Sequence, residues 1–425
     1  MIAIALDRIQ HAFNLSFTNA SWLISTYYLA SAIAQPVMGK LADTVGPKRV
    51  FIAGIILVAL SSATAPFSPT FGWLIILRLI QSAGSGAIFP AGMGMVRKFI
   101  TEGQAKALAF LAVFSSGAAA FGPSVGGLLM HFGDWPMIFW VNFPFIVLSL
   151  LLGIWILPSD EITKDSRTPI RELLLKIDLP GICFFTGSVI FTLLFLLSIT
   201  RKTIWWALWL SIIAIVLFFW RENRVKMPFI NVSMFKQNMA LSWVLIQFIT
   251  VNIIFYSIFF GIPTYLQEVR HFSTRYTGLL MLFIAGFGVI TSPIAGRLVE
   301  KYGSRPPLVF AGFCMTIGSG LYITLHDTSP VWWLAVILTV LGLSSGFNNV
   351  GLQTALFRVT PEQIISAASG LFQTARYMGT ILSTVLLSIL FGSSLSTNGL
   401  HQMGIILSIF GTLVILMSLR LPKKS

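Results

Sequence analysis

The sequence predicts an all-α polytopic membrane protein made of two related halves, and three observations carry that prediction. The 425 residues are 56% hydrophobic and only 10% charged, with a mean hydropathy of +0.86, which excludes a soluble globule of ordinary composition. Apolar runs long enough to cross a bilayer follow one another along nearly the whole chain. One short stretch is also written twice: GKLADTVGPKR from Gly39 to Arg49, and GRLVEKYGSR from Gly296, each with a proline three residues ahead, Pro36 and Pro293.

Taken in order, complete spans read near 20–38, 50–66, 72–95, 105–130, 138–157, 179–199, 203–221, 239–262, 275–295, 306–325, 331–353, 365–391 and 400–419. Ahead of these thirteen, Met1 to Leu6 offers too few apolar residues for a crossing before Asp7 and Arg8, although the topology requires one. The expectation is that the numbering begins inside an incomplete first helix, so that the full complement is 14 transmembrane helices with both termini on one side. Thirteen spans with an external N-terminus is the alternative. A cleavable signal peptide is not expected, because the charged n-region is missing.

The most charged loop, Ser159 to Lys176, leads to Asp178–Pro180, which opens a helix pair near 179–221 that has no counterpart in the half repeat. The predicted organisation is an N-terminal helical half over 1–157 with spans 1–6, linkers and an inserted helix pair over 158–230 with spans 7–8, and a C-terminal helical half over 231–425 with spans 9–14. The net charge of +14 would suggest nucleic acid for a soluble protein, but most of the 28 Lys and Arg fall on the side of Gly39–Arg49. Arg8, Arg201, Lys202, Arg270 and Arg275 lie opposite, and Arg78 and Arg376 lie within spans. That sorting is the positive-inside pattern, which makes Gly39–Arg49 cytoplasmic and removes nucleic acid as a partner. Cys183 and Cys314 both sit in apolar runs, read as core residues with no disulfide.

In the repeated stretch, Gly39 and Gly46 are expected to let the backbone turn tightly between two helices, while Lys40, Lys48 and Arg49 place positive charge on the turn. Asp43 is an acid among bases, placed to meet a Lys, an Arg or the positive end of a neighbouring helix, and Glu300 repeats it. The stretch resembles the signature loop between the second and third helices of the major facilitator superfamily. The resemblance implies that Asp43, with Gly39, Gly46 and Arg49, latches one half to the other in the outward-open state, with Glu300 as a weaker counterpart. With the inserted pair, the chain also resembles the fourteen-helix branch of that superfamily, whose familiar members are bacterial multidrug efflux pumps, drug:proton antiporters.

Further stretches carry chemistry. In GPSVGG, small residues permit close helix contact and Pro123 bends the helix. Gly122, Pro123, Gly126 and Gly127 resemble the antiporter motif of exporters in the superfamily; plain close packing is the alternative. Arg78 lies mid-span, where a charge is costly unless paired or wetted. It resembles the fourth-helix arginine that assists proton transfer, with Gln81 matching and Ser82 in place of a Gly, and a structural arginine held by carbonyls is the other reading. None of the 14 acids stands in the middle of a visible span. Asp7 stands where the family usually has Pro, and the family's first-helix acid would fall before Met1. Asp134, in GDWPMIFWVNFP, and Glu268, at the outer end of a helix, are the remaining proton-coupling candidates, each also readable as a solvated helix-end acid. Arg376 resembles an arginine common in the fourteen-helix branch, and snorkelling to the surface is its alternative.

Candidate cavity residues are Tyr27, Tyr28, Gln81, Phe89, Gln247, Asn252, Tyr256, Asn348, Asn349, Gln353, Gln373, Arg376 and Tyr377, a mostly apolar lining with a few polar groups that suits amphiphilic, often cationic, compounds. The expected function is proton-coupled export of lipophilic drugs or antimicrobials by alternating access, a multi-pass cell-membrane role in a bacterium. Its partners would be small amphiphilic substrates, protons and the bilayer, the protein acting as a monomer. Export of a single metabolite, peptide or lipid is the alternative. A membrane enzyme or receptor is disfavoured: no intramembrane His/Asp/Glu cluster or metal-ligand spacing appears, the five histidines lie scattered on external loops, and no soluble sensory domain is present. No cofactor or metal is expected; without a phosphate-binding loop, the proton gradient is the energy source.

Overall fold

The computed structural model describes residues 2–15, 17–100, 102–114, 118, 134–160, 178–198, 203–225, 228–230, 238–391 and 396–421. The helices are α1 (Ile2–Ala12), α2 (Phe17–Val45), α3 (Pro47–Thr64), α4 (Phe71–Phe99), α5 (Gln104–Phe114), α6 (Met137–Trp155), α7 (Leu179–Ser198) and α8 (Trp205–Glu222). They continue with α9 (Met239–Glu268), α10 (Thr274–Tyr302), α11 (Arg305–Gly320), α12 (Val331–Val359), α13 (Ile365–Phe391) and α14 (Thr397–Arg420). No strand occurs among the described residues.

Among the described residues, 11 helices are long and apolar enough to cross a membrane, all of these except α1, α2 and α5. Helix α2 has the length, 29 residues, but Tyr27, Tyr28, Ser31 and Gln35 dilute its apolar content. The expected span over 105–130 is described only through α5 and at residue 118. Outward-facing apolar surface is extensive, as on α8, where Trp205, Trp209, Ile213, Val216 and Trp220 are exposed. In a bilayer such a surface meets lipid, and only helices can hide their backbone polar groups there.

The larger buried apolar cluster draws only on residues 241–421, including Tyr265, Tyr322, Leu338 and Met403. A separate one gathers Ile9, Leu23, Leu74, Trp135 and Phe139 from α1, α2, α4, the turn ahead of α6 and α6 itself. The two bodies meet chiefly where α2 packs along α13. Helices α7 and α8 pack mainly on each other, and α7 also touches α2 and α13.

Three expectations need correction. Gly39 is not part of a turn: α2 runs on to Val45, and only Gly46, with φ 115°, reverses the chain. Its second-half counterpart behaves alike, with α10 continuing to Tyr302 and Gly303 at φ 84°. Cys183 is exposed on α7 rather than buried, because that helix is packed on few sides, whereas Cys314 is buried. The histidines are not all scattered, since His326 and His401 come to 5.9 Å between ring centroids. Among the described residues, no group of three His, Cys, Asp or Glu could hold a metal ion.

Candidate functional site

The seam between α2 and α13 is built from atoms that side-chain bulk would push apart. A Cβ on Gly39 would overlap the Ser366 carbonyl oxygen and stand 2.9 Å from the Ala367 Cα, and one on Gly370 would stand 2.6 Å from the Pro36 Cα. Proline at 36 also frees the carbonyl four residues earlier from its helix bond. That carbonyl, on Ala32, instead accepts a 2.7 Å hydrogen bond from the Thr374 hydroxyl of α13.

At the basic end of this seam, the Asp43 carboxylate accepts the backbone N–H groups of Ser366 (3.1 Å) and Ala367 (2.8 Å). These are first-turn amides of α13, so a negative charge meets the positive end of a helix dipole across the two halves. Asp43 lies beyond the apolar stretch of α2, and burial pushes its carboxyl up to about 6 even though the hydrogen bonds and Lys40 favour its charged form. The repeat produces a related contact on the other diagonal. Glu300 of α10 pairs with Lys106 of α5 at 3.1 Å, and its Oε1 lies near Gly103, just ahead of α5. A Cβ on Gly296 would stand 2.8 Å from the Ala109 methyl of α5. Both seams therefore close the basic face.

The turn itself is anchored by an acid at the start of the charged loop Ser159–Lys176. Asp160 accepts the backbone N–H of Lys48 (3.1 Å) and of Arg49 (2.9 Å), capping α3, while Lys48 Nζ donates to the carbonyls of Ile154 and Leu157. The side chain of Asp160 occupies the space that a Cβ on Gly46 would need.

Deeper in, a tyrosine cluster joins the two halves. Tyr28 lies 6.1 Å from Tyr27 and 5.9 Å from Tyr377 by ring centroids, and Tyr256 of α9 is within its electrostatic reach. Gln35 donates to the Tyr377 hydroxyl at 3.2 Å. Arg78, 9% exposed, places its Cζ 4.0 Å from the Tyr27 ring centroid and donates through Nη1 to the Gln81 carbonyl, whose amide donates to Ser62 at 2.8 Å. Arg376 follows on α13, with its Cζ 5.8 Å from the Tyr377 centroid. Four phenols and two guanidinium groups thus surround one region between α2, α4, α9 and α13, an arrangement that can hold a flat organic molecule against aromatic faces.

The other candidates lie elsewhere. Gln247 donates to Ser418 of α14 and Asn348 to Ser344 and to the Met315 sulfur of α11, so these two bind helices together, while Asn252 donates to the Phe248 carbonyl one turn back in its own helix. Gln353 donates to Asn349 along α12, Gln373 is buried in α13, and Phe89 packs against Met93, Leu108, Phe357 and Ile365. Asp134, with φ 61°, and Glu268, the last residue of α9, are both exposed. Asp7 lies on α1. Gly122, Pro123, Gly126 and Gly127 fall outside the described residues.

Comparison with known proteins matches the family model described as Major Facilitator Superfamily over residues 1–384. The chain is similar to the uncharacterized MFS-type transporter YwoD of Bacillus subtilis, at 44% identity over 99% of this chain and 92% of that one. It is 27% identical to the riboflavin transporter RibZ of Clostridioides difficile over 94% of this chain and 85% of that one. Similarity at 26% extends to the tetracenomycin C resistance and export protein of Streptomyces glaucescens, over 92% of this chain and 72% of that one. In solved structures, the fold is like that of the proton:xylose symporter XylE, with a TM-score of 0.69, 14% identity, and coverage of 99% of this chain and 92% of that one.

Proposed function

The chain belongs to the Major Facilitator Superfamily and is a multi-pass membrane transporter, and on that premise we propose that it exports lipophilic aromatic compounds, often cationic, from a bacterial cytoplasm in exchange for protons. The observation that supports this most is the cluster of Tyr27, Tyr28, Tyr256 and Tyr377, contributed by both halves and roofed on the basic side by the Asp43 latch. A molecule bound between the halves is exposed to one side at a time when they rock about it, which is alternating access. The likeness to a tetracenomycin C export protein favours drugs and antimicrobials as cargo. The fourteen-helix plan, with halves at 1–157 and 231–425 flanking the inserted pair of 158–230, is part of this reading. So is proton exchange at Asp7, Asp134 or Glu268 with Arg78 beside the cargo.

One observation favours a second reading, a dedicated exporter of a single metabolite. The cluster carries Arg78 and Arg376 with no carboxylate partner among the described side chains, which suits a neutral or anionic aromatic molecule better than a permanent cation. Inverted vesicles separate the two readings. Uptake of a fluorescent cationic dye with matching proton release, abolished by collapsing the gradient, supports drug:proton antiport. Proton movement driven only by one neutral or anionic aromatic compound in a panel supports the dedicated exporter, and no cargo-linked proton movement at all refutes proton coupling.

A further inference from the structure

The α7–α8 pair carries buried charge that the transport reading does not use. Asp178 enters α7 with φ 51°, a left-handed conformation that Asp tolerates, and its Oδ1 accepts both Nε (3.2 Å) and Nη2 (3.0 Å) of Arg221. Glu222 ends α8, and its Oε2 accepts the backbone N–H of Ile230 at 3.0 Å. The second oxygen of each carboxyl, Asp178 Oδ2 and Glu222 Oε1, has no hydrogen-bond partner. Asp178 is 3% exposed and Glu222 4%.

Both unpartnered oxygens point into one gap. A Cβ on Gly181 would collide with Asp178 Oδ2 and stand 2.7 Å from Glu222 Oε1, so the missing side chain at 181 is what lets them converge. Ionised carboxylates are acceptors only, and two buried ones facing each other repel while each lacks a donor. Arg221 is spent on the far oxygen of Asp178, and Lys40 of α2 is the other cation whose field reaches Glu222. A metal ion would need more ligands than two oxygens, and no third His, Cys, Asp or Glu stands with them among the described residues. A proton needs only the pair.

We propose that Asp178 and Glu222 form a proton-binding site in which one proton is shared between Asp178 Oδ2 and Glu222 Oε1, and that this proton fastens the Phe229–Ile230 strap over the α2–α13 seam. Bound, it turns one acceptor into a donor and leaves a single negative charge beside Arg221. Lost, it leaves two facing carboxylates, and Glu222 swings away from the Ile230 amide. The strap connects the site to the halves: Phe229 and Ile230 pack with Phe185 and Phe218 of the pair and against Val37 of α2 and Leu371 of α13. The same two residues line a cavity of about 160 Å³ shared with Lys40, Asp43 and Ala367. The inserted pair thereby senses proton concentration at the latch, whatever the cargo.

The test uses the full chain in lipid nanodiscs without substrate. Infrared difference spectra between neutral and alkaline pH should show a protonated carboxyl band that disappears in Glu222→Gln and in Asp178→Asn. Hydrogen exchange at Ile230, corrected for intrinsic rate, should accelerate at alkaline pH by about ten- to a hundredfold, the equivalent of one charged hydrogen bond. In Glu222→Gln the amide supplies the donor permanently, so the strap should stay protected and lose its pH dependence. Gly181→Ala, which drives the oxygens apart, should expose the strap at every pH. Parent-like pH dependence in Glu222→Gln would overturn the proposal. So would protection that follows sodium, potassium or magnesium concentration instead of pH, which would make the gap a cation site.

Discussion

Replacing Gly39 by Ala tests whether close backbone approach holds the basic face shut. The added methyl would stand 2.8 Å from the Ser366 carbonyl carbon and 2.9 Å from the Ala367 Cα, with the carbonyl oxygen nearer still. Restoring ordinary contact requires α2 and α13 to part by about 1 Å at that level. The bonds from Ser366 and Ala367 to Asp43, now 3.1 and 2.8 Å, would then lengthen past useful range. Each hydrogen bond to a charged group contributes about 1.5–3 kcal/mol. After allowing for the water the carboxylate regains, the closed state should lose about 2–4 kcal/mol, a shift of about thirtyfold or more toward opening. Spin labels on Thr44 and Glu362, both exposed, should report a longer and broader separation in Gly39→Ala, with transport slowed. Gly296→Ala should be milder, because its nearest neighbour is the Ala109 methyl, and adding Ala109→Gly should restore it. An unchanged label separation together with parent transport in Gly39→Ala would show that backbone contact at Gly39 does not hold the basic face shut.

Three further outcomes are expected. With the closed-state carboxyl of Asp43 at about 6 against an ordinary 3.8, closure binds the proton more tightly; the latch is strongest at low pH and weakens as pH rises through about 6, while Asp43→Asn holds one label separation across that window. Asp160→Ala removes the cap on α3 and should cost about 1–2 kcal/mol, seen as a lower melting temperature with the transport rate at moderate temperature retained; a melting temperature equal to the parent's would remove Asp160 from the account. Tyr377→Phe, which loses the hydroxyl's bonds with Gln35 and Ser31 but keeps the ring, should keep cargo affinity near the parent's, whereas Tyr377→Ala should weaken it by about three- to tenfold; equal affinities in the two variants would place the cargo away from this ring.

The half repeat made Asp43 and Glu300 legible as related acids, because a loop used twice keeps its pattern of glycine and charge. The kinds of partner were legible too, a basic side chain or the positive end of a helix, but which of them each acid would meet was not. Asp43 meets backbone amides, which every residue except proline possesses and which leave no mark in a sequence. Gly39 misled for a related reason: glycine serves turns and close packing alike, and only the helix continuing to Val45 distinguishes them. The tyrosines of α2 and α13 stood out as polar side chains in apolar runs, but so did Gln247 and Asn348, and choosing between cargo contact and interhelical bonding requires knowing which way each helix face turns. Asp160 and Glu222 lie at the ends of basic loops, where an acid reads as solvated until the chain folds over it.

Because Asp43 grips two main-chain donors besides the Ser366 side chain, much of the coupling between the halves does not depend on a matched pair of side chains. The amides are offered whatever side chain stands there, but Ser366 is buried between Gly39 and Gly94, so only small residues fit at the joint. Proline would remove a donor at either position. A joint of this kind frees the cargo-facing surfaces to diversify while the gate keeps working, and a scaffold so wired can be retuned to new compounds one substitution at a time.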